Sequence, residues 1–151
     1  MNQLEQIKET LRDLLMSQQL AVLATHHDGQ PYASLVAFVA TADLKELLFA
    51  TSRNTRKFAN LTRDSRVSLL VDSRSNRDAD IHEAVAVTVI GTAAEVEETL
   101  PGKGWPPRPA RVASEGVFHL APKVAGLQQP PADPMPSRSS RPTCHHPAPP
   151  P

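Results

Sequence analysis

The side chains best placed to do chemistry together lie in one stretch, residues 47–72, which reads LLFATSRNTRKFANLTRDSRVSLLVD. Thr51 and Ser52 end an apolar run, and Arg56 and Lys57 open an amphipathic one. Two hydroxyls, the free N–H groups of a helix start, the helix dipole and two cations can therefore converge on one anion. Phosphate fits that chemistry. The spacing alone also allows a plainer reading, in which Arg56 and Lys57 are the solvated face of a short surface helix.

Other reactive residue types are less well placed. His26 and His27 precede a turn, with no carboxylate or cysteine at helical or strand spacing to complete a metal or haem site, and read as exposed turn residues. His82 follows Asp78 and Asp80 in a polar loop and is expected to face solvent. His145 and His146 fall in a proline-rich tail without fixed geometry. No metal site is expected. Ser17, Ser65 and Ser68 lie in no nucleophile-elbow motif, and the 6 glycines form neither a phosphate loop nor a dinucleotide fingerprint. No side chain is assigned a catalytic role.

The elements that must position the 51–57 turn follow from periodicity. Leu4, Ile7, Leu11, Leu14 and Leu15 recur at helical spacing opposite Glu5, Lys8, Glu9, Arg12 and Asp13, so residues 2–18 form an amphipathic helix. Residues 20–25 and 31–40 read as strands joined by a tight turn at Asp28-Gly29, and residues 46–51 as a third strand. A helix of two turns follows, with Ser52 and Asn54 as capping types and Phe58 and Leu61 three apart. Residues 66–72 are a strand, 73–80 a polar loop, and 84–96 a strand expected to be buried on both faces, with Gly91 marking a bulge or bend. Short connections imply antiparallel pairing and a small, partly open barrel.

Composition divides the chain. Of 15 prolines only Pro31 lies before residue 101, so residues 1–100 carry the domain, and residues 101–151 read as a disordered, proline-rich tail. Such a tail fits a linker or a partner-binding segment. The barrel expected after Val96 needs a further helix and strand that the tail does not offer, which suggests translation in a shifted reading frame. On this reading the barrel lacks its closing strand.

Charge is balanced, with 16 basic and 16 acidic side chains, so nucleic acid is not an expected partner. The single Cys144 rules out an internal disulfide and makes the cytoplasm the default location. No basic-then-apolar leader and no apolar run of about 20 residues is present, so neither export nor a membrane is expected.

The segments ATHHDGQPYASLVAF, LLFATSRNTRKFANLTRDSRVSLLVD and VTVIGTAAEVE resemble the pyridoxamine 5′-phosphate oxidase-like split-barrel family, in particular small bacterial members grouped with haem-utilisation proteins. The likeness spans residues 21–96. It implies a mainly β, antiparallel split barrel with an N-terminal helix and a short helix between strands. It implies a homodimer with flavin mononucleotide (FMN) at the subunit interface, acting as an oxidoreductase on a small molecule. Carried over, Thr51, Ser52, Thr55, Arg56 and Lys57 would hold the FMN phosphate, and Ser34, Leu35, Val36 and Ala37 would lie along the isoalloxazine ring. A flavin- or haem-binding protein without turnover, or an inactive frameshifted family member, is the alternative. Authentic pyridoxamine-phosphate oxidases carry an Arg and a Lys on the strand that reads SLVAFVA here, so vitamin B6 oxidation is not expected.

Overall fold

A computed structural model of the chain describes residues 2–96 and 115–129. Helix α1 (Gln3–Ser17) starts with a capping box, in which the Asn2 side chain accepts from the Glu5 N–H and the Glu5 carboxylate accepts from the Asn2 N–H. Its apolar stripe buries Leu14 and Leu15 in the core. Strands β1 (Leu20–His27) and β2 (Gln30–Ala40) form a hairpin, followed by β3 (Leu47–Ser52), helix α2 (Arg56–Arg63) and β4 (Arg66–Asp72). The polar stretch expected to be a loop ends in a single helical turn, α3 (Asp80–Glu83), which contains His82. Then come β5 (Ala86–Glu95), β6 (Glu115–Leu120) and β7 (Lys123–Gln128).

The sheet runs β4-β1-β2-β3-β6-β5, and β4 also pairs with β5, so six antiparallel strands close on themselves. Phe49, Leu23, Leu47, Leu69, Leu120, Val71, Val87 and Val89 are fully buried inside. The mainly β split barrel with an N-terminal helix and a short helix between strands is the observed fold.

The sequence reading is corrected over residues 115–129 of the tail. Residues 115–129 form β6 and β7, where disorder was expected, and β6 is the closing strand held to be missing. It lies between β3 and β5, pairing Thr51 with Gly116 and Ala93 with Leu120. The argument for a shifted frame rested on the lack of such a strand, and β6 supplies it. Residues 97–114 and 130–151, with Cys144, His145 and His146, lie outside the described residues. The strand was masked by its surroundings: six residues, EGVFHL, are short enough to disappear between proline-rich flanks.

Strand β5 also differs from expectation. Val87, Val89 and Ala93 are buried, while Ile90 is 45% exposed, so only one face enters the core. Gly91 carries no bulge in the ladder to β4. Instead, β5 changes partner around it, pairing with β7 through residues 86–90 and with β6 through residues 93–95. The chain passes through Ala121-Pro122 between β6 and β7 and continues in the same direction along β5. A Cβ at Gly91 would stand 2.4 Å from Leu120 Cδ1 and 3.0 Å from the Ala121 carbonyl oxygen, so this corner requires glycine.

Candidate functional site

The site begins where the barrel splits. The β2–β3 ladder pairs Ala40 with Leu47, Val39 with Leu48 and Phe38 with Phe49, and stops there. Two residues further along each strand, Val36 and Thr51 would face each other, but β2 stays with β1 while β3 stays with β6. The Phe38 N–H donates to the Gln19 carbonyl at 3.0 Å, on the β1 side. By strand alternation, the N–H and C=O of Leu35 point to the opposite, open edge.

Lys57 reaches that edge. Its Nζ donates to the Leu35 carbonyl at 2.7 Å, and burial pushes its pKa below the ordinary lysine value. Helix α2 is capped by Thr55, not by Ser52 or Asn54: the Thr55 hydroxyl accepts from the Phe58 N–H. The same hydroxyl donates to the Ser52 carbonyl at 2.8 Å, so its 3.1 Å contact with Thr51 has Thr51 as donor. Ser52 turns aside and donates to Asn54 Oδ1 at 2.7 Å. Thr51 is buried at the end of β3.

Strand β6 holds this turn in place. A Cβ at Gly116 would stand 2.7 Å from the Phe58 ring, so glycine lets α2 lie against the strand. Phe58 packs edge-on against Phe118, which stacks on Phe49 at 5.4 Å between centroids. Arg53 pairs with Glu95 and lies over the Phe58 ring at 5.2 Å.

The expected site residues thus divide. Thr51, Thr55, Lys57 and the backbone of Leu35 gather at the split, with Ser34 alongside. The Ser34 Oγ is buried without a hydrogen-bond partner among the described residues. The Val36 side chain enters the core, and Leu35, 56% exposed, stands on the outer face. On that face Leu35, Val22, Leu70 and Thr88 form one row across β2, β1, β4 and β5. Ala33, Ala24, Ser68 and Ile90 form the next. None of the eight is charged. Ala37 pairs with Leu20, itself exposed, at the margin.

Arg56 takes another direction. Its guanidinium lies 5.6 Å from the centre of the Tyr32 ring, in a cleft of about 620 Å³ between the β1–β2 hairpin and α2. Tyr32, Asn60 and Arg63 line that cleft and were not singled out from sequence. The spacing of Arg56, Asn60 and Arg63, which puts them on one helical face, was the available signal. Asn60 is buried and donates to Thr25 Oγ1 at 3.0 Å.

Both histidines have carboxylate partners, and that of His26 is one that linear spacing did not reveal. His26 Nε2 lies 2.9 Å from Asp64 Oδ2, and His27 Nε2 lies 3.1 Å from Asp28. Asp64 follows α2 and is brought back to β1 by the barrel, so only the fold makes them neighbours. Hydrogen bonds from the Arg66 guanidinium, foremost, and from its backbone N–H hold the Asp64 carboxyl well below its ordinary range. No group of three or more potential metal ligands occurs among the described residues. No helix among them is long and apolar enough to cross a membrane.

A closed antiparallel barrel that opens between β2 and β3, with a capped helix at the opening, defines a split-barrel protein. A family model described as pyridoxamine 5′-phosphate oxidase matches residues 7–135, and the chain belongs to that family. The match runs through β6 and β7, beyond the 21–96 legible by resemblance. Solved structures share the fold. A putative pyridoxamine 5′-phosphate oxidase from Listeria innocua is 15% identical, with 82% of this chain and 97% of that one covered and a TM-score of 0.59. An FAD-binding protein from Mesorhizobium loti is 20% identical over 82% of this chain and 91% of that one, with a TM-score of 0.57. The haem storage protein HutZ from Vibrio cholerae is 19% identical over 86% and 96%, with a TM-score of 0.59. No curated protein matches the chain.

Proposed function

We propose that the chain binds FMN at the split between β2 and β3 and serves, as a cytoplasmic homodimer, in oxidoreduction of a small molecule. The observation that carries this reading is the convergence at the split of an unzipped strand edge, Leu35, with a capped helix start bearing Lys57. The Leu35 N–H and C=O offer a donor and an acceptor to the pyrimidine edge of a flavin, and the unpartnered Ser34 hydroxyl offers another. Thr51, Thr55 and Lys57 would hold the phosphate, with Ser52 and Arg56 at the margins of the same turn. Among the described residues Lys57 has only a carbonyl for a partner, so a phosphate would supply its partly buried ammonium with a counter-charge.

The uncharged rows on the outer face support a second protomer there, because a face of that width is otherwise left to water. Once bound, the flavin supplies hydride and electron transfer, while the protein orients it and excludes water.

Purified protein tests the reading directly. It should be yellow, or take up added FMN, and the flavin absorption should bleach with reduced nicotinamide. Protein that ignores FMN yet gives a Soret band with haem would overturn the proposal in favour of haem binding.

A further inference from the structure

Lys57 differs from the other described lysines. Lys8, Lys45 and Lys123 are exposed, whereas Lys57 is half-buried at the split, with its Nζ on the Leu35 carbonyl at 2.7 Å. No carboxylate pairs with it among the described residues. An amine partly withdrawn from water and left without a counter-charge gives up its proton more readily, and the neutral amine is the nucleophilic form. The groups around it suit a phosphate. Of the first N–H groups of α2, those of Phe58 and Ala59 are taken by Thr55, while those of Arg56 and Lys57 have no acceptor among the described residues. A nucleophile and two free donors thus share one helical turn, beside the Thr51 and Thr55 hydroxyls.

We propose that Lys57 is a modification site, acylated by small acyl phosphates whose phosphate docks in this turn. Docking of this kind rests on the reading of the turn as a phosphate site, and it gives that site a means of being closed. With the phosphate held, the neutral amine attacks the acyl carbon. The bond from that carbon to the phosphate oxygen breaks, inorganic phosphate leaves with the electron pair, and the proton lost by nitrogen passes to phosphate or water. The product is an uncharged amide, so the cation that would face the FMN phosphate is gone. A phosphate monoester in the same place offers the amine no electrophile. FMN, a monoester, therefore shields Lys57, whereas an acyl phosphate consumes it.

The full chain, freed of any bound flavin, is incubated with acetyl phosphate, and acetylation of each lysine is followed by mass spectrometry. Lys57 should react about tenfold faster than Lys8, Lys45 or Lys123, because docking holds the acyl group beside it. Inorganic phosphate and FMN should each slow Lys57 alone. With N-acetylimidazole, which carries no phosphate, the preference should shrink and inorganic phosphate should give no protection. The acetylated protein should bind FMN about tenfold or more weakly than untreated protein, whereas treatment should leave the FMN affinity of Lys57→Arg where it stood before. Equal rates at all four lysines, a preference that inorganic phosphate does not reduce, or the same preference with N-acetylimidazole would each overturn the proposal. If FMN binds while Lys57 stays inert to acetyl phosphate, acylation falls and the flavin reading stands. Selective, phosphate-sensitive acetylation that FMN does not slow would instead count against the flavin reading alone.

Discussion

At the scale of single residues, Lys57 combines partial burial with a neutral partner. Its lowered pKa means that unfolded chains bind that proton more readily in the window just below the ordinary value of 10.5. The protein therefore gains stability from this group as pH rises through that window, while the proposed phosphate binding would weaken as the ammonium is lost. FMN affinity should fall on the alkaline side, and Lys57→Met should abolish that limb in a fluorescence titration. Replacing Arg56 and Lys57 together by Ala removes charge-assisted bonds worth roughly 1.5–3 kcal/mol each, so unchanged affinity in the double variant would refute the phosphate assignment. Asp64 has the reverse sign. Its depressed carboxyl contributes stability above the ordinary value of 3.8 and loses it as pH falls further. Thermal melts of Asp64→Asn should lack the drop that wild type shows below that pH.

At the scale of elements, the turn is only as well placed as the strand behind it. Gly116 admits the Phe58 ring, and Phe58 ties α2 to Phe118. Gly116→Val should push α2 outward, lowering both the melting temperature and FMN affinity, whereas Thr55→Ala should cost about 1 kcal/mol through the lost cap. Measuring both properties in both variants separates support of the turn from its local chemistry. These dependencies also mark what the sequence could and could not disclose. Alternation revealed β1 to β5, and residue types pointed to Thr51 and Lys57 as candidates, because both signals are local. The partners of Lys57, His26 and Phe58 lie 22, 38 and 60 residues away in the chain, and no local pattern encodes such distances. β6 was lost for a related reason: its identity lies in its pairing with β3 and β5, not in its six residues.

At the scale of the whole molecule, the barrel depends on that late strand. A stop after residue 114 would remove buried Val117, Phe118 and Leu120 and bare the edges of β3 and β5. Each fully buried side chain is worth about 1.5–3 kcal/mol, against a total stability of about 5–15 kcal/mol for a domain, so the shortened chain should fail to melt cooperatively. The outer face sets the second requirement. Leu35 and Ile90 stand on adjacent rows of it, 56% and 45% exposed, with uncharged neighbours across four strands. Neither supports the protomer's own core, so Leu35→Lys with Ile90→Lys should leave the fold intact by circular dichroism. Burying two ammonium groups against a symmetry-related copy without partners is costly, and a twofold interface repeats the cost on both sides. Light scattering should therefore report a dimer for wild type and a monomer for the double variant. FMN should be retained only by the dimer, since the split lies at the margin of that face; a wild-type monomer that still binds FMN would place the whole flavin site within one chain.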